Sequence, residues 1–338
     1  MKYISQLINA PWEDPGIIVS FSSKNENLLF DCGDIAKIGV GAAIRTSRVF
    51  VTHTHIDHFI GFDYLLRMNL RETKELKFYG PAGLAAQIAH RLQGYSWNLT
   101  EDSRYTISCC DLPLSPDSAE PIRYYAFPAA GRFREDVSLR REIASPPGEL
   151  YLEDGALLRF APVVHGLDCL CYSLTEPPEA RLREEELKAS GLPPGPWIKE
   201  LLSIYSLHES GERLLQVGDK QIPAASLRSL IKYPKQGKIA YVTDTVFNRQ
   251  SVKSARFVGQ DADVLWCEAC YLHNELEKAK TNLHMTARQA GRLAKELSVG
   301  ELRLFHYSRR YKDSLRPHIE EAKENFPNTV PPPSLSAF

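Results

Sequence analysis

The sequence contains no run approaching about 18 consecutive apolar residues, so no helix in it is expected to span a membrane. Its opening, MKYISQLINAPWEDPG, lacks a basic stretch followed by an apolar core, and no signal peptide is expected. Neither sign of charge is in excess. The 41 Lys and Arg against 42 Asp and Glu leave a net of −1, which excludes a protein that holds nucleic acid by bulk positive charge and allows only a local basic groove. Cysteine is sparse and odd in number, 7 in 338 residues, which argues against a secreted disulfide framework. Internal repeats and long low-complexity tracts are absent as well. What is present, 43% hydrophobic and 25% charged residues, suits a compact, soluble, cytoplasmic enzyme and is wrong for disorder.

Short apolar, β-rich runs recur at Gly16–Phe21, Asn27–Phe30, Arg48–Val51, Leu76–Tyr79, Leu157–Val164, Lys238–Val242, Val264–Trp266 and Glu301–Phe305. Between them lie helical patterns. One follows a turn at Gly80-Pro81 and covers Gly83–Leu92; another runs from Thr286, a plausible N-cap, to Leu297. This mixture predicts an α/β or α+β architecture in a single domain, residues 1–338. From Glu176 to Gln221 the chain turns Pro- and Glu-rich, which reads as an arm inserted into that domain or as a disordered surface insertion. Residues 326–338 are Pro/Ser-rich and are expected to form an exposed tail.

The densest chemistry is VTHTHIDHFIG, with His53, His55, Asp57 and His58 directly after a strand. Imidazole and carboxylate are the ligands chosen by Zn²⁺ and its borderline neighbours. His53 and His55 alternate along an extended loop and can share one ion; Asp57 and His58, at the turn into a helix, would face a second. Other candidates each end an apolar strand: His165 after FAPVV, Asp244 after IAYVT, His306 after LRLF. A lone His there is commonly structural, but three such residues beside the dense motif form a pattern. The expected arrangement is His53, His55 and His165 on one ion, Asp57, His58 and His306 on the other, with Asp244 between them. Two cations so held polarise a phosphoryl oxygen and lower the pKa of water, which is hydrolytic chemistry without a protein nucleophile.

This constellation resembles the metallo-β-lactamase superfamily and, within it, the ribonuclease Z family. HTHIDHFIGFDYLL continues as that family's first metal motif does, and FYGPAGL is similar to its next strand and turn. LKASGLPPGPW resembles the Gly-Pro motif of the family's arm, and CEACY with LHMTARQAGRLA resembles its paired His-Glu-Ala-Thr and His-Ser-Thr motifs. The resemblance implies an αββα sandwich, two Zn²⁺ per chain (with Mn²⁺ or Fe²⁺ as substitutes) and endonucleolytic trimming of the 3′ trailer of precursor tRNA. It also implies a homodimer whose arm grips the tRNA body. Glu268 and His284 fall on the family's proton relay, with Asp57 as the third catalytic residue. A carboxylate bonded to an imidazole raises its basicity, and the imidazolium can protonate a departing 3′-oxygen. A structural helix-cap pair is the plain alternative for these two residues.

Departures from the family pattern are also visible. Cys267 stands where the family has the first His of His-Glu-Ala-Thr, and Cys270 and Met285 also differ. QLINAPWEDPG replaces the family's Gly-Thr-Gly stretch and its Pro-Lys-Arg-Asn-type loop. Other readings are therefore a phosphodiesterase for small or cyclic nucleotides, a thiol-ester or lactam hydrolase, and a catalytically silent binding subunit. Cys267 and Cys270 form a C-x-x-C that reads as a redox pair or half of a zinc knuckle, although no second C-x-x-C completes one. Basic residues cluster at Arg181, Arg183, Lys188 and Lys199, and again at Arg309, Arg310 and Lys312. Arg309 and Arg310, just past His306, are expected to meet substrate phosphates.

Overall fold

The computed structural model describes residues 3–21, 25–115, 120–206 and 211–335; parts of the expected arm (207–210) and tail (336–338) lie outside them. The described chain divides into two compact units. One comprises Met1–Leu150, Leu158–Leu174 and Lys238–Phe338, the other Tyr151–Leu157 and Thr175–Gly237.

The larger unit holds two sheets. The first has eight strands in chain order: Tyr3–Leu7, Ile17–Phe21, Asn27–Phe30, Thr46–Phe50, Glu75–Pro81, Thr106–Leu112, Ile122–Pro128 and Arg141–Ile143. Its middle pairs, from Asn27–Phe30 through Thr106–Leu112, are parallel. The second sheet runs in the order Thr329–Val330, Glu301–Phe305, Val264–Glu268, Lys238–Val242, Asp168–Thr175, Leu157–Val164 and Glu149–Tyr151. The central strands Asn27–Phe30, Lys238–Val242 and Val264–Glu268 are buried throughout and largely apolar, because there each sheet is covered on both faces. Phe30 and Phe50 of the first sheet meet Tyr172 and Tyr241 of the second, with Phe30 and Tyr241 stacked at 5.3 Å. The alternate residues Leu29, Val49 and Phe78 face outward onto Phe62, Leu65 and Ile88 of helices. On the other side Ala240, Val242, Leu265 and Cys267 face Val258, Ala290 and Leu293. The result is helices, sheet, sheet, helices, the expected αββα sandwich.

Local signals set the element ends. Thr286 caps Ala287–Glu296 through a capping box with Gln289, and Asn248 caps Arg249–Gly259 by accepting from Ser251 N–H. The turn expected at Gly80-Pro81 lies two residues further on: both residues stay in their strand, and Gly83, at φ 99°, makes the turn into Leu84–Gln93. The Pro-rich tail is not loose where it is described. Leu7 N–H donates to Pro333 C=O, Leu335 N–H to Leu7 C=O, and Pro332 is buried. Prolines lack a donor but keep their carbonyl, so such a segment can still cover a sheet edge.

The smaller unit extends past the expected arm boundary to Gly237 and has its own core. Trp197, Leu201 and Ile204 of the helix Trp197–Ser206 pack with Leu215, Val217, Leu227 and Leu230. Its ends are tied together: Glu176 N–H donates to Gly237 C=O at 2.8 Å, and Gly237 N–H to the Glu176 carboxylate at 2.9 Å.

One buried side chain in the larger unit carries a prediction. His318 is fully buried, stacks on Tyr307 at 4.1 Å and meets Tyr311 edge-on, and neither ring nitrogen has a hydrogen-bond partner. Burial pulls its pKa down from 6.5 to about 4. As pH falls below 6.5 the unfolded chain takes up a proton that the fold refuses until about 4, so about 3 kcal/mol of stability is lost across that window. His318→Phe keeps the stacking and should flatten this slope, measured as unfolding free energy in denaturant at several pH values between 7 and 4.

Candidate metal centre and the Glu268–His284 pair

The His-rich loop leaves the strand Thr46–Phe50 at the end where its parallel neighbours also stop. Close backbone approach holds it. A Cβ on Gly33 would stand 2.1 Å from Asp57 C=O, and one on Gly61 would stand 2.3 Å from Gly33 C=O. Only glycine permits this contact, in which Cys32 N–H donates to His58 C=O and Gly61 N–H to Cys32 C=O.

Asp244 sits at the centre of the cluster. Its Oδ2 lies 3.7 Å from His53 Nε2, 3.3 Å from His58 Nε2 and 3.3 Å from His165 Nε2, and its Oδ1 lies 3.5 Å from His306 Nε2. Asp57 Oδ2 is 3.7 Å from His58 Nε2 and 3.5 Å from His306 Nε2. The exposed ring of His55 meets His53 at 4.4 Å and His165 at 5.2 Å. Donor atoms of His53, His55, His165 and Asp244 form one set within 4.8 Å of one another, and those of Asp57, His58 and His306 form a second.

Tautomers test whether cations fit. His58 Nδ1 donates to Asp31 Oδ2 at 2.9 Å, His165 Nδ1 to Leu283 C=O at 3.2 Å, and His53 Nδ1 to Thr52 Oγ1 at 3.0 Å. With Nδ1 protonated in a neutral ring, each Nε2 presents a lone pair toward Asp244, itself only an acceptor. Nε2 of His53 and His58 is buried and makes no hydrogen bond. Lone pairs and carboxylates facing across a gap fit divalent cations of the zinc type. The electrostatics agree. Burial and then the neighbouring His58 ring push His53 down to about 2, while the more exposed His55 is lowered by burial and His165. Burial also opposes charge on His58 and His306, yet Asp244 foremost, joined by Asp31 or Asp57, raises each to about 10. Burial likewise disfavours ionised Asp57 and Asp244, but the surrounding imidazoles hold both below the ordinary carboxylate range. The cage is thus short of positive charge.

Beside it stands the pair Glu268–His284. Glu268 is fully buried; its Oε1 accepts from Thr245 N–H at 2.6 Å and its Oε2 from His284 Nδ1 at 2.9 Å. One carboxylate therefore fixes both the backbone after Asp244 and the tautomer of His284. Burial works against the imidazolium, but Glu268 outweighs it and raises His284 to about 9.

Among curated proteins, ribonuclease Z of Deinococcus radiodurans is 29% identical over 94% of this chain and 92% of its own length. Ribonuclease Z of Chlamydia trachomatis serovar L2 is 30% identical over 90% of this chain and 84% of its own. This chain belongs to the ribonuclease Z family. Among solved structures, the metallo-β-lactamase fold protein YhfI of Bacillus subtilis superposes with a TM-score of 0.54 at 17% identity, covering 97% of this chain and 95% of its own. The short form of human tRNase Z superposes with 0.51 at 16%, covering 99% and 96%. No family model matches the sequence. As a ribonuclease Z family member with the metallo-β-lactamase fold, the protein is a metal-dependent hydrolase.

Asp31, with its partners Thr52 and Tyr241, is the part of this ribonuclease Z-family site that escapes a reading of motifs. Asp31 accepts from Thr52 N–H at 2.7 Å, Thr52 Oγ1 at 2.9 Å and Tyr241 Oη at 2.9 Å as well as from His58. In the sequence it is one acid after the strand NLLF. Asp31, Asp244 and His306 share a further feature: each follows a strand and has φ between 46° and 56°, a strained region for residues other than glycine. Asp31→Asn, which lets the amide compete for His58, should weaken metal affinity by about 10–100-fold, measured by competition with a chelator.

The two arginines have different surroundings. Arg310 is turned into an ion pair with Glu275 at 2.6 Å, whereas Arg309 is largely exposed, 3.9 Å from Asp14. The cysteines of the C-x-x-C do not pair up. Both are free; Cys267 lies in the helix-facing core, while Cys270 lies beside His284 and His306.

Proposed function

We propose that this protein is a two-zinc endonuclease that removes the 3′ trailer from precursor tRNA, working in the cytoplasm as a homodimer. The observation that carries the reading is Asp244, one carboxylate facing four imidazoles drawn from two adjacent donor sets. His53, His55, His165 and Asp244 would hold one cation, and Asp57, His58, His306 and Asp244 the other. When bound, the pair supplies Lewis acidity toward a phosphoryl oxygen and a lowered pKa for water.

The chain's own residues do the rest. Asp57, at the partly open rim with its side chain 40% exposed, orients the attacking water and accepts its proton. Glu268 keeps His284 protonated and aimed, and His284 gives its proton to the departing 3′-oxygen. The products are a 3′-hydroxyl on the tRNA and a 5′-phosphate on the trailer. Arg309 meets a phosphate outside the cage, and the unit around Trp197 contacts the tRNA body. The names of the relatives support the choice of substrate; the name of the human neighbour, a tRNase Z, accords with it.

A second substrate class, small phosphodiesters, is favoured by one observation. The segment in place of the family's basic loop is acidic, with Glu13 paired to Lys37 and Asp14 beside Arg309. Zinc-loaded protein should cut a 3′-extended precursor tRNA once, past the discriminator base, and the Asp57→Ala variant should not. Absence of a cut from protein holding two zincs, with turnover of a chromogenic diester, would overturn the tRNA assignment.

A further inference from the structure

We propose that Cys270, His284 and His306 form a third cation site, selective for a thiophilic ion such as excess Zn²⁺ or Cd²⁺, and that filling it shuts the enzyme down. One donor atom from each residue lies within 4.8 Å of the other two. A thiolate with two imidazoles is a donor set for Zn²⁺ and Cd²⁺ and a poor one for Mg²⁺ or Ca²⁺. Among the described residues no other cysteine belongs to a group of three such donors.

The three side chains are held together by backbone pairing. Ala269 N–H donates to Phe305 C=O and Ser308 N–H to Cys270 C=O, which clamps the segment carrying Cys270 to the one carrying His306. Tyr271 N–H donates to Met285 C=O and Ala287 N–H to Tyr271 C=O, which clamps it on the other side to the segment carrying His284. The rings of His284 and His306 stack at 5.5 Å. A second observation points to a ligand: Nδ1 of His306 is buried and has no hydrogen-bond partner. Cys270 is buried, 7% exposed. As the metal–sulfur bond forms, three protons leave to solvent, from the thiol, from Nε2 of the His284 imidazolium and from Nδ1 of His306, which frees the three donor atoms that the ion takes.

Binding rests on this geometry alone; the shutdown rests on the role of His284 given above. The test starts from protein with its cage filled by zinc and adds CdCl₂ stepwise. Two signals are followed: the ultraviolet Cd–thiolate charge-transfer band and cleavage of a ribose 3′-phosphodiester, whose alkoxide leaving group needs an acid. The cage contains no thiolate, so cadmium exchanged into it is silent in that band. In the natural protein the band should saturate at one equivalent while the rate falls roughly 100-fold, the loss expected when a general acid is occupied. Cys270→Thr and Cys270→Ser should show no band and keep their rate in the presence of Cd²⁺. Absence of the band from the natural protein, or a band of equal size in both variants, overturns the site. A Cys270-dependent band with an unchanged rate overturns the shutdown. Protein that hydrolyses no diester contradicts the proposed function, and the band still decides the site.

Discussion

Asp244→Asn should lower turnover by at least about 10³-fold and leave the purified protein short of its full metal complement. The substitution is nearly isosteric, and Thr243 Oγ1 can still donate to the amide oxygen that replaces Oδ1, so the fold has no steric reason to change. What changes is charge. Asp244 is the leading influence that raises both His58 and His306, and its oxygens face His53 and His165 as well. With an amide there, four imidazoles lose the one anion they share, and the two proposed cations would lose the group that offsets their repulsion. Metal analysis together with thermal unfolding checks the expectation. Two ions per chain and full activity in a well-folded variant would end the shared-carboxylate reading.

His284→Gln should cost about 10²–10⁴-fold in cleavage while metal content stays at the natural level. The glutamine amide N–H can still donate to Glu268, as His284 Nδ1 does, but it has no acidic proton to give to a leaving alkoxide. The choice of substrate separates this role from a structural one. A p-nitrophenyl ester departs as a stable anion and needs no acid, so its hydrolysis should fall far less than that of a ribose 3′-ester. Equal losses on both substrates would mean that His284 positions the cage instead of protonating the leaving group.

The His-rich loop and the strand-end candidates were legible because each is a polar residue that interrupts an apolar run, which a core residue cannot do. The parallel strands carry them to one edge. Asp31 obeys the same rule, but a single acid in DCG has nothing beside it to mark it, and its partners Thr52 and Tyr241 come from distant strands. Arg310 illustrates the reverse. Its charge next to His306 suggests a phosphate contact, and its partner Glu275, 35 residues earlier, is met only in space. In the segment after Thr175, prolines break the apolar residues into runs too short to show a period. Trp197, Leu215 and Leu230 become a core only once the chain folds back on itself. In the tail the missing donor of proline is obvious in sequence, and its remaining carbonyl, which Leu7 N–H meets at Pro333, is not.

The donors of the cage are spread from His53 to His306, so the growing polypeptide meets them late and out of spatial order. Until Asp244 emerges from the ribosome neither donor set is bridged, and until His306 emerges the second set is incomplete. The strand edge at Leu7 waits longer still, for Pro333 and Leu335. Synthesis itself therefore acts as a safety catch: an unfinished copy of this hydrolase has no assembled centre.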